Sequence, residues 1–70
     1  MNGDDTFQKS AIEGFIKTQD NLVEAPGEYD LAYRWKDGPI ALGFKDLGED
    51  IYQLVYITDE IDNQWEDWMN

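Results

Sequence analysis

Between Glu28 and Ile57 the chain consists of three short alternating runs separated by turn residues, and this pattern restricts its fold more than any other feature. In the first run, Glu28 to Trp35, the residues Tyr29, Leu31, Tyr33 and Trp35 fall on one side. Asp30, Ala32 and Arg34 fall on the other, which is the period of a half-buried strand. Ile40 to Phe44 repeats the pattern, with Ile40, Leu42 and Phe44 opposed to Ala41 and Gly43. Small residues on that second face imply either a close neighbour or an open sheet surface. Ile51 to Ile57, rich in β-branched and aromatic residues, is the third strand. Lys36-Asp37-Gly38-Pro39 reads as a hairpin loop, with Asp-Gly expected to supply positive-φ positions. Lys45 to Asp50 reads as a second turn. Strands joined this closely form an antiparallel meander.

Helical periodicity flanks the meander on both sides. From Asp5 or Thr6 onward, Phe7, Ala11, Ile12, Phe15, Ile16, Leu22 and Val23 share a face, with Gln19 interrupting it. Residues 1–5 are expected to be frayed. Ser10-Ala11-Ile12-Glu13 fits a capping box inside this segment. Pro26-Gly27 ends it, because proline disfavours helical geometry at Ala25. At the other end, Ile61, Trp65, Trp68 and Met69 fall at i, i+4, i+7 and i+8, one buried stripe of a helix. Thr58 or Asp59 is placed to cap that helix. The expected fold is therefore α+β, in the order α-β-β-β-α. It is a three-stranded antiparallel meander with two helices packed on one face, in a single domain of residues 1–70. The order resembles that of the double-stranded-RNA-binding domain in topology alone. That family places basic residues at the start of its second helix, where this chain has Thr58, Asp59 and Glu60, so none of its function is carried over.

A chain of 70 residues must stabilise this fold without staples, since it contains no cysteine and no histidine. That excludes disulfides and thiolate or imidazole metal sites. The core rests instead on a composition that is 41% apolar, including three Trp, four Tyr and three Phe, with self-association as a further source of burial. The N-terminus is polar and acidic, without the basic and apolar regions of a signal peptide, and no apolar run approaches a membrane span. A cytoplasmic protein is expected.

Net charge points furthest toward function. Sixteen acids against five bases give −11, beyond the magnitude of about 2–8 that solubility calls for. Lys45 is the last basic residue; after it come Asp46, Glu49, Asp50, Asp59, Glu60, Asp62, Glu66 and Asp67. Phosphates and anionic membranes would be repelled by such a surface. A basic protein surface is its natural complement.

Other chemistry is poorly supplied. Thr6, Ser10, Thr18 and Thr58 are the only aliphatic hydroxyls, and no histidine is present to activate them. Asp59 with Asp62, or Asp62 with Glu66, would make a carboxylate pair, but on a solvated helix face rather than in a concave site. The chain is thus not expected to be an enzyme or to carry a cofactor. Asp46-Leu47-Gly48-Glu49-Asp50 lacks the ligand spacing of a calcium loop and reads as a solvated turn.

Three functions fit. The first is a small inhibitor that binds the basic nucleic-acid-binding surface of a target enzyme by charge (DNA) mimicry, as phage-encoded counter-defence proteins of this size and charge do. The second is an immunity protein or antitoxin that masks a basic toxin. The third is an acidic adaptor whose contact is made by exposed aromatics, Trp35 with Tyr33 or Tyr52 with Tyr56. The first is preferred. Its expected contact residues are Asp59, Asp62, Glu66 and Asp67, seconded by Asp46, Glu49 and Asp50. The ordinary solvated face of an acidic helix is the plain alternative for all seven.

Overall fold

The computed structural model describes residues 5–69. Its elements are β1 (Thr6–Gln8), α1 (Lys9–Lys17), β2 (Leu22–Glu24), β3 (Leu31–Trp35), β4 (Ile40–Gly48), β5 (Ile51–Ile57) and α2 (Asp59–Met69). All five strands form one antiparallel sheet in the order β1-β5-β4-β3-β2. The expected α-β-β-β-α order with a three-stranded meander is thereby overturned, and the topological likeness to the double-stranded-RNA-binding domain goes with it. Both additional strands come from the segment read as one long N-terminal helix.

The reason lies in where that segment finds its hydrogen bonds. Thr6, Phe7 and Gln8 pair with Gln53, Tyr52 and Ile51, and Leu22, Val23 and Glu24 pair with Trp35, Arg34 and Tyr33. Between them α1 keeps only Lys9–Lys17, burying Ile12 and Phe15. Its end is set by Thr18, whose hydroxyl donates to the Phe15 carbonyl at 2.6 Å while its amide donates to the same oxygen at 2.9 Å. The proposed capping box does not form, because Ser10 already lies inside the helix. Gln8 occupies the cap position in extended conformation, with no side-chain hydrogen bond. The Lys9 amide donates to the Asp50 carbonyl at 2.9 Å. Expected fraying at residues 1–4 lies outside the described residues. Asp5 is tied down, its carbonyl accepting the Leu54 amide at 2.9 Å.

Antiparallel pairing throughout makes β1 and β2 run in the same direction at opposite edges, four strand spacings or about 19 Å apart. A nine-residue helix covers about 13.5 Å of that distance, and the turn after Lys17 supplies the remainder. α1 therefore crosses the sheet from edge to edge.

Local departures from regular pairing set which side chains face the helices. Tyr33 pairs with Leu42 but Arg34 with Ile40, so Ala41 is an extra residue in β4. It turns into the core beside Leu42 instead of opposing it. Gly43 pairs with Tyr56 but Phe44 with Leu54, leaving Val55 as an extra residue in β5. β4 continues past Phe44 to Gly48, so the second turn is only Glu49-Asp50, at φ 56° and 63°. Two positive-φ residues between paired Gly48 and Ile51 make a type I′ hairpin. In the other hairpin neither Asp37 nor Gly38 has positive φ, contrary to expectation. Gly38 provides space there: a Cβ would lie 3.2 Å from the Trp35 Cβ. Because Asp50 bears a left-handed conformation that glycine adopts freely, Asp50→Gly should stabilise the fold by about 1 kcal/mol, read as a higher urea midpoint.

The core lies between this sheet and the two helices. Leu31, Tyr33, Leu42 and Phe44 meet Ile12 and Phe15 of α1 and Ile61 and Trp65 of α2. Trp65 is at its centre: its ring meets Phe7 at 5.1 Å and Phe15 at 5.0 Å edge-on, and Phe44 at 5.7 Å. The radius of gyration, 11.2 Å, matches the roughly 11 Å of a compact chain of this length. On the far face of the sheet, Tyr29 lies over Gly43 and stacks on Tyr56 at 6.1 Å. Tyr29 thus crosses to the face opposite Leu31 and Tyr33, because β3 begins only at Leu31. A Cβ on Gly43 would meet the Tyr29 ring at 2.8 Å. Gly43→Ala should accordingly destabilise the fold by about 1–3 kcal/mol, and Tyr29→Ala in the same chain should remove most of that penalty in a double-mutant cycle.

Candidate functional site

α2 carries five carboxylates in eleven residues and no base. Asp59, Glu60 and Asp62 occupy its first turn, where unsatisfied amides and the helix dipole favour negative charge. Glu66 and Asp67 stand near the other end, where the dipole opposes them and the last turn of the helix holds no basic residue. Asp59, Glu60, Glu66 and Asp67 are exposed, and Asp62 is half-buried. The helix begins on backbone alone. The Thr58 carbonyl accepts the Ile61 amide at 3.1 Å and the Asp62 amide at 3.0 Å. The Thr58 hydroxyl is buried without a partner among the described residues, so the expected Thr58 side-chain cap is absent.

The seven expected contact residues do not converge on one place. Asp62 and Glu66 stand on one wall of an open groove of about 570 Å³ between α2 and β5, with Asp5 on its β1 side. Phe7, Leu54, Ile57, Trp65 and Met69 supply its apolar surface. Glu49 and Asp50, at the hairpin tip, line a separate cleft of about 380 Å³ with Glu13 and Lys9 of α1. Asp59, Asp67 and Asp46 border neither. Asp46 instead braces its own hairpin. Its Oδ1 accepts the Gly48 amide at 2.7 Å, and its amide donates to Asp30 Oδ2 at 2.9 Å. Among the described residues no group of acids is arranged to hold a metal ion.

The aromatic pairs named for an adaptor are mostly withdrawn from solvent. Tyr33 is buried, and Trp35 and Tyr52 are half-buried against the core. Tyr56 remains 40% exposed, beside Val55 at 49%; Trp68, expected on the buried stripe of α2, is 48% exposed. Trp68 instead touches Phe15 edge-on at 6.3 Å and lies over Gly14. Asp5, Phe7 and Val55 were not legible as site residues. Phe7 fits a helical stripe as well as a strand, and Val55 reaches the groove through a bulge that has no sequence signature.

Tyr33 is a strongly perturbed acid. Burial beneath the helices pushes its phenol up to about 12, aided by Glu24, its partner across β2 and β3, and by Glu13 and Tyr52. The neutral form is the one the fold favours, so its stabilisation is complete below the ordinary tyrosine value near 10. It is lost as pH rises from there through about 12. Tyr33→Phe should flatten the fall in urea midpoint across that window. This phenol belongs to the core and takes no part in the groove.

No helix among the described residues is long and apolar enough to cross a membrane. No protein-family model matches the chain, and no curated protein or solved structure shows significant similarity to it.

Proposed function

We propose that this protein is a small acidic inhibitor that binds the basic, nucleic-acid-binding surface of a target protein, presenting carboxylates where a duplex presents phosphates. The observation that supports this reading is the charge of α2: five acids on one short helix, four of them exposed, and none matched by a base on that helix. Along the axis, Asp59 and Glu66 are about 10 Å apart and Asp62 and Glu66 about 6 Å apart, a spacing comparable to that of backbone phosphates. Glu66 and Asp67 stand where helix stability disfavours them, so the dipole gives no account of their presence. Their position on the helix suits a role in contact. Association steered by such a patch should be fast at low salt and weaken as salt rises.

Immobilised protein incubated with a cell lysate provides the test. Captured proteins should be basic, should be released by rising salt, and should be displaced by added double-stranded DNA. Capture that resists DNA but yields to salt would instead favour a masked toxin that recognises no duplex. Capture indifferent to both would overturn the charge reading altogether.

A further inference from the structure

We propose that the groove between β5 and α2 docks a peptide segment of the partner that carries bulky apolar side chains flanked by arginine or lysine. The inference rests on reading the α2 face as the interface and adds a kind of contact that charge mimicry alone does not contain. Its basis is a juxtaposition: an apolar floor including Phe7, Leu54 and Met69, closed beneath by Trp65, and a rim carrying Asp5, Asp62 and Glu66. Three carboxylates around an apolar floor repel phosphates and anionic lipid, and they repel a second copy of a chain with net charge −11. What they complement is a cationic segment able to desolvate the floor. An apolar anchor inside a charged rim is the arrangement in which a few buried side chains carry most of the affinity and the rim sets rate and selectivity.

The shape of the sheet leads to the same place. β1 pairs with β5 only from Ile51 to Gln53, and the Asp5 carbonyl adds one bond to Leu54. Beyond it, Val55 is displaced by the bulge and stands half out of the protein next to the groove, with Tyr56 following. Bulges re-aim side chains and end regular pairing at sites of recognition. The groove is thus bordered by apolar surface that no described element covers.

The test uses a fluorescently labelled twelve-residue synthetic peptide in which a leucine and a phenylalanine two positions apart are flanked by arginines, titrated into the full chain. One control replaces the apolar pair by serines and keeps the charge; a second replaces the arginines by glutamines and keeps the apolar pair. The parent peptide should bind, with amide chemical-shift changes confined to Asp5–Phe7, Leu54–Ile57 and Asp62–Met69, and each control should bind at least tenfold more weakly. Asp62→Asn with Glu66→Gln should weaken binding about tenfold and Val55→Thr severalfold, with unchanged circular dichroism. Equal binding of the serine control would overturn the groove inference while leaving the charge-based function standing. Equal binding of the glutamine control, or shifts located elsewhere, would overturn it as well. So would absence of binding by the full chain. If binding then appeared in a chain lacking residues 1–4, the groove would be assigned to the chain's own N-terminus.

Discussion

Trp65→Ala should remove about half of the stability of this fold and lower its urea midpoint accordingly. The ring is 4% exposed and is shared by three other aromatics, one each from β1, α1 and β4. It is thus the point at which α2, α1 and the sheet are joined. Removing a buried tryptophan costs about 3–5 kcal/mol, from lost transfer energy together with the cavity left behind. A domain of this length has about 4–10 kcal/mol in total. The surrounding rings cannot easily collapse into the space, because each is fixed to a different element. Urea titration followed by far-ultraviolet circular dichroism would show the loss directly. Trp68→Ala provides the comparison. Its ring is half exposed and makes one edge contact, with Phe15, so its removal should shift the midpoint far less. Equal effects would mean that the core is not organised around Trp65.

The second large effect concerns association rather than folding. Reversing Asp62, Glu66 and Asp67 together to lysine should slow binding to a basic target by tenfold or more at low salt. The difference should shrink as salt rises through the range in which the screening length falls below about 8 Å. All three positions lie off the buried positions Ile61 and Trp65. Two of them stand near the helix C-terminus, where a lysine suits the dipole better than an acid does, so the fold should survive. Stopped-flow or biosensor kinetics against a protein captured in the lysate experiment, at two salt concentrations, would measure this. An unchanged association rate in a folded triple variant would remove α2 from the interface. Reversing Glu49 and Asp50 on the hairpin tip serves as the spatial control, because these acids line a different cleft.

The separation of those two acidic groups was not legible in the sequence. Read linearly, Asp46 to Asp50 and Asp59 to Asp67 look like one continuing acidic surface. In the fold, β5 intervenes and carries the first group to the hairpin tip beside α1, whereas α2 turns back over the sheet from Thr58. Asp46 also proved to be a hairpin-bracing residue, its carboxylate engaged by the Gly48 amide. Spacing along a helix can be read from a sequence, but spacing between elements depends on topology.

The same distinction runs through the fold. Ile51–Ile57 and the buried residues Ile61 and Trp65 of α2 were recoverable from the sequence, because a side-chain period of two or of 3.6 is a local property written over several residues. The cores of β3 and β4 were recoverable for the same reason, although β3 starts later and β4 ends later than alternation suggested. Net charge, and the exclusion of cysteine and histidine chemistry, are properties of composition and needed no structure. β1 and β2 were different. Three residues hold no period, and Phe7 and Leu22 suit a helical stripe as well as a strand. Only ladder bonds to Tyr52 and Trp35, far away along the chain, decide between the two. The groove followed from that decision. It exists because Phe7 was carried to the edge of β5 and α2 was laid beside it, and long-range pairing of this kind is a consequence of tertiary packing with no local signal to announce it.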